Sequence, residues 1–111
     1  MLSIVAASPR PVVVAMKQIF VLCYSRGPAW IEGKAVFEQP LREHLAYMHE
    51  LKARGVLLLG GPFTDDEGGL VVAKALSLNE ARCLVERDPA VSAGVMVAVA
   101  HPWKLMAGAI V

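Results

Sequence analysis

At 111 residues the chain favours a single domain, long enough to bury a core without a disulfide or structural metal. Apolar residues make up 56% and charged residues 19%, and the longest stretch free of Asp, Glu, Lys, Arg and His, Pro89 to Ala100, is far short of the ~20 residues of a membrane span. Net charge is +1 with no basic stripe, so neither membrane insertion nor nucleic-acid binding leads the list of functions.

The apolar excess is spread over short runs, which points to surface buried by self-association. Cys23 and Cys83 are the only cysteines and do not form a metal-type pair; reduced core thiols are the expectation. The N-terminal "MLSIVAASPRPVVVAM" lacks the basic and long apolar regions of a secretory signal, so the cytoplasm is the default location. Met16 has the form of a second start. Residues 1–16 therefore read as an extension, an added strand or a loose arm, before a domain over 17–111.

Taken in order, "QIFVLCYS" (18–25) is short and rich in β-formers and predicts a strand. "RGPAWIEG" (26–33) is Gly- and Pro-punctuated loop. A helix is expected from about Pro40, ending where Lys52 and Arg54 suit the helix dipole and Gly55 suits a left-handed cap. "VLLLGG" (56–61) is a continuous apolar run, as in a strand buried on both faces. "PFTDDEGG" (62–69) is turn-rich, and "LVVAKAL" (70–76) is the returning strand. Ser77 and Glu80 make a capping box for a second helix running to about Asp88, where Pro89 marks the stop. "GVMVAVAH" (94–101) is the last strand.

This order, strand-helix-strand-strand-helix-strand, is the α+β, ferredoxin-like pattern of a four-stranded antiparallel sheet with both helices on one face. The first and last strands are apolar on both faces, whereas a half-solvated sheet would alternate with polar residues. Two helices cover one face only. The simplest cover for the second is the same sheet from another copy, in a two-fold homodimer.

Helical phase separates the histidines. At 3.6 residues per turn, with Leu41 at 0°, Leu45 falls at about 40°, Met48 at about 340° and Leu51 at about 280°. His44, at about 300°, lies inside that arc, while His49, at about 80°, lies at its margin beside Arg42. The two are not four apart and have no carboxylate at a matching spacing, so no metal site is expected. In the second helix Leu78, Ala81, Val85 and Asp88 are spaced 3, 4 and 3, which puts the Asp88 carboxylate on the core-facing side of the last turn. A bare carboxylate there is costly, and it sits at the unfavourable end of the helix dipole. His44 is its natural partner. Such a dyad would orient and activate the imidazole for general acid–base work, against the commoner case of an inward histidine serving structure alone.

Other features carry less. Gly60-Gly61-Pro62 allows close backbone approach but is primarily a turn device, and no Lys-Ser/Thr follows to make a phosphate loop. "DDE" (65–67) reads as a solvated hairpin turn. Trp30 and Trp103 would wall a pocket or anchor a core or interface. Ser25 and Cys23 lack an activating motif.

The segments "REHLAYMHELKARGVLLLGGPF", "LSLNEARCLVERDPAVSAGV" and "HPWK" resemble the YciI-like (YCII-related) family over roughly residues 17 to 105. The resemblance implies a dimeric α+β barrel in which two ferredoxin-like sheets face one another. It implies an active site on a His-Asp pair, carried onto His44 and Asp88. It also implies kinship in fold with muconolactone isomerases, and in activity with members that dehydrochlorinate chlorinated hydroquinones.

Two functions are then in competition. One is a cofactor-independent isomerase or lyase that uses His44 and Asp88 on a small cyclic or aromatic substrate, with Gly61, Pro62, Arg42 and Tyr24 as substrate-binding candidates. Its pocket would lie between helices and sheet, closed by the 26–38 loop. The paucity of Lys and Arg near His44, apart from Arg42, argues against a highly charged substrate. The other is a non-catalytic ligand-binding or structural homodimer, in which the dyad fixes helix geometry.

Overall fold

The computed structural model describes residues 16–108; the expectation for the N-terminal extension falls, but for Met16, outside them. Four strands, β1 (Gln18–Arg26), β2 (Leu57–Pro62), β3 (Gly69–Ala75) and β4 (Met96–Pro102), form one antiparallel sheet in the order β2-β3-β1-β4. A single 3-10 turn (Val36–Glu38) precedes helix α1 (Arg42–Ala53); α2 (Leu78–Glu86) and α3 (Pro89–Ser92) lie between β3 and β4. The architecture is the expected ferredoxin-like one, with one more short helix.

Alternation along β1 sends Phe20, Leu22 and Tyr24 into the core, where they meet Val71, Ala73 and Ala75 of β3 and Leu51 of α1. The helix α2 adds Ala81, Leu84 and Val85. Burying side chains of this size stabilises the domain by ~1.5–3 kcal/mol each. The Tyr47 hydroxyl of α1 donates to the Leu84 carbonyl of α2 at 2.7 Å, which ties the two long helices together.

The opposite face of the sheet carries Cys23 opposite Val99, with Val97 and Leu59 nearby. Val97 is 44% exposed, Leu59 50% and Val99 52%. The unpolarised alternation read from the sequence is thus a real apolar surface in the single chain.

Several local expectations need correction. Cys23 and Cys83 are exposed rather than core residues, because Cys23 falls on the outer sheet face and Cys83 on the outer side of α2. β2 is not buried on both faces: it is an edge strand, and its second half is exposed. Gly60-Gly61-Pro62 does not turn the chain but continues that strand, and the turn itself lies at Thr64–Glu67. Ser77 does accept from the Glu80 amide at 3.1 Å, but the Glu80 carboxylate reaches one residue further back, to the Leu76 amide at 2.9 Å. The second helix does stop before Pro89, at Glu86, but Pro89 also opens a further helix. It is the first residue of α3, where a missing N–H costs nothing, and Asp88 is the N-cap.

Candidate active site

The site is assembled around Asp88, which is fully buried. Its place as N-cap of α3 answers the electrostatic objection raised by the sequence. The carboxylate sits at the positive end of a short helix rather than the negative end of a long one. Oδ1 accepts from the Ala90 amide at 2.9 Å, and Oδ2 accepts from the Tyr24 hydroxyl at 2.7 Å. His44 Nδ1 lies 2.9 Å from Oδ1 and 2.8 Å from Oδ2. A carboxylate only accepts, so the imidazole donates from Nδ1 and keeps Nε2 as its acceptor.

His44 comes from the first turn of α1, and its side chain is 16% exposed. Tyr24 steadies it from the side, with the rings edge-on at 5.6 Å between centroids and 67° between planes. Burial, reinforced by the Asp88 charge and the hydrogen bond to it, pushes the Tyr24 phenol far above its ordinary range. Tyr24 is thus a neutral donor at any physiological pH.

His44 and Tyr24 line a cavity of about 570 Å³ between α1, the segment 36–41 and the far end of the β2–β3 hairpin. Its walls are apolar along α1, with Leu41, Leu45 and Met48. Leu45, placed by the helical phase in the core-facing arc, is 56% exposed because that part of the arc faces the cavity rather than packed side chains. On the hairpin side four glycines, Gly60, Gly61, Gly68 and Gly69, line it beside Leu57, Pro62, Leu70 and Val71. Gly68 is required there, since a Cβ would stand 2.1 Å from the Tyr24 carbonyl oxygen, and its φ is +122°.

The long loop after β1 reaches the cavity through Val36 and Phe37. Trp30 anchors it in the core, and side-chain hydrogen bonds hold the rest. The buried Gln39 amide accepts from the Ile31 amide and donates to the carbonyls of Ile31 and Lys34. Asp66, in the β2–β3 turn, accepts from the Val36 amide through Oδ1 at 3.2 Å and from Arg26 through its carbonyl. Phe37 projects at the mouth and is 89% exposed.

All four residues proposed for substrate contact, Gly61, Pro62, Arg42 and Tyr24, line this cavity, but Tyr24 has a further role as a ligand of the Asp88 carboxylate. His49 and Lys52 line it as well, so the expected paucity of basic groups apart from Arg42 does not hold. Trp30 is a core residue under the Arg26 guanidinium, 5.1 Å from the ring centroid, and Trp103 is exposed; neither lines the cavity. Among the described residues no three His, Cys, Asp or Glu side chains gather into a group that could hold a metal ion, and no helix is long and apolar enough to cross a membrane.

Comparison with known proteins places the chain in a family. A solved structure, the 5-chloro-2-hydroxyhydroquinone dehydrochlorinase of Burkholderia phenoliruptrix AC1100 in complex with 2,5-dihydroxybenzoquinone, matches with a TM-score of 0.61 and 29% identity over 78% of this chain and 93% of that one. The uncharacterized protein YjpA of Bacillus subtilis (strain 168) is 37% identical over 62 residues, which cover 56% of this chain and 73% of that protein. The YCII-related domain is matched over residues 19–104, and the chain belongs to the YCII-related family.

Proposed function

We propose that the chain is a cofactor-independent enzyme of the isomerase or lyase type, in which His44 moves a proton on a small cyclic or aromatic substrate. One observation carries this reading. His44 Nδ1 is held by both oxygens of a buried carboxylate, and Nε2 is left as the nitrogen for the cavity. In that state Nε2 is a base. It takes a proton from substrate carbon, and the imidazolium that forms is stabilised by Asp88. Isomerisation returns the proton to a second atom of the substrate. Elimination instead expels a leaving group with its bonding electrons, as in a dehydrochlorination. Neither course needs an oxidant or a second substrate. The dehydrochlorinase activity of the structural neighbour supports the second course.

We further propose that the working form is a homodimer over the domain 17–111, its two sheets closed on one another, and that it acts in the cytoplasm. The exposed Val97, Val99 and Leu59 support the interface. Leu70 shares the outer face with Cys23 and also lines the cavity, so a second copy would close one wall of the site.

The test is exchange of substrate hydrogen with deuterated water, followed by NMR over a panel of small cyclic and aromatic compounds. Wild type exchanges at least one of them and His44→Ala exchanges none. A non-catalytic homodimer is the second reading, favoured by the three donors on Asp88 that join β1, α1 and α3. It predicts a large fall in melting temperature for His44→Ala and no exchange in wild type.

A further inference from the structure

The cavity wall has a charge pattern that the dyad does not use. Arg42, His49 and Lys52 all line it, and no Asp or Glu does. This is not a reflection of overall composition, since the chain has 11 basic and 10 acidic residues. The acidic residues of the same helix, Glu43 and Glu50, point elsewhere, and Glu50 is engaged with Arg54 at 3.7 Å. Arg42 and Lys52 have no salt-bridge partner among the described residues. Two carboxylates lie close to the cavity without lining it: Asp88, buried behind His44 and occupied by three donors, and Asp66, whose Oδ1 is taken by the Val36 amide.

Helical geometry spreads these groups in a definite way. His44 lies at one margin of the cavity face of α1, and Arg42 and His49 lie together at the other, seven residues apart on one side. The margins are roughly 10 Å apart on a helix 10–12 Å across with its side chains. Leu41, Leu45 and Met48 form the apolar strip between them, and Lys52 continues that strip into the last turn.

We propose that this pocket selects a substrate with a single ring and one acidic group. Arg42 and His49 take the anion, assisted by Lys52, the ring lies on the leucine–methionine strip, and the far edge of the ring meets His44 Nε2. The proposal rests on the cavity beside His44 being the substrate site, but it concerns recognition and not turnover. The two cations, Arg42 and Lys52, with no carboxylate among the lining residues, lower the cost of bringing a carboxylate out of water, and His49 adds a ring nitrogen donor. An uncharged ring of the same size gains only the apolar contact.

The matched probes are benzoate and benzyl alcohol, titrated by NMR against the full-length protein at low and high salt. Wild type is expected to bind benzoate roughly tenfold more tightly, the effect of one charge-assisted hydrogen bond. The preference should shrink at high salt and vanish in the double variant Arg42→Gln, Lys52→Gln, with benzyl alcohol affinity unchanged. Equal affinity for the two probes, no binding of either at millimolar concentration, or a preference that survives in the double variant would each overturn it. His44→Ala separates this proposal from the catalytic one: loss of proton exchange with the benzoate preference retained leaves anion recognition standing alone.

Discussion

The Tyr24 hydroxyl donates to Asp88 Oδ2 at 2.7 Å, the same oxygen that His44 Nδ1 approaches at 2.8 Å. The two donors share one acceptor, so each limits what the other receives. Tyr24→Phe leaves the ring against His44 but withdraws one donor from a buried carboxylate. The expected cost is about 1–3 kcal/mol of stability, read from urea unfolding. The carboxylate, left with only the Ala90 amide beside the imidazole, then bears more strongly on His44, so the acid limb of the pH–rate profile moves to higher pH. An unmoved limb would show that Tyr24 serves structure only.

His44→Ala removes the proposed base, and turnover should fall by about 10²–10⁴-fold, measured as kcat on any compound that wild type converts. Asp88→Asn should cost a comparable factor for a different reason. An asparagine can still cap the Ala90 amide, but an NH₂ set toward Nδ1 favours the imidazole with its proton on Nε2, which cannot accept one. Circular dichroism of the variant should stay close to wild type. Asp88→Ala, by contrast, strands three donors and should unfold the domain at a much lower temperature.

The buried tyrosines set an alkaline limit. Burial and Asp88 raise both Tyr24 and Tyr47 above the ordinary 10.0. Below pH 10 both states of the chain hold these protons and the contribution to stability is constant. Above it, the unfolded chain releases protons that the folded chain retains, so stability falls as pH rises. Thermal melts of wild type should drop in midpoint from about pH 10 upward, and the Tyr24→Phe variant should drop less steeply.

Val99 stands 52% exposed on the outer sheet face. Val99→Asp would place a charge in the proposed interface, where leaving it unpaired is costly. Light scattering behind a sizing column should report a dimer for wild type and a monomer for the variant. A wild-type monomer at micromolar concentration would remove the dimer.

The sequence made the sheet and helices legible because their periods are strong, and the phase of α1 was enough to turn His44 inward. Asp88 was found for a partly mistaken reason. The spacing from Leu78 continued a helix through a residue that in fact starts the next one, since Asp-Pro ends one helix and begins another with the same signal. The Tyr24 bond was out of reach, because nothing in a strand pattern tells what a tyrosine 64 residues away will meet. Leu45 and the two cysteines misled by type: apolar residues suit a cavity wall or an interface as well as a core. Helical phase puts His49 only at the margin of the apolar arc, and Lys52 reads as a dipole partner, because the cavity they border is formed by a hairpin that the helix periodicity cannot see.

The donors on Asp88 come from sequence separations of 2, 44 and 64 residues. The nearest forms with a single helical turn; the other two wait for the first strand and the first long helix to reach their final places. A partly folded chain can therefore hold the cap but not the dyad. The carboxylate works as a checkpoint on assembly: the imidazole is oriented only after elements from both ends of the domain have closed on it, so an incomplete fold would also lack the proposed base.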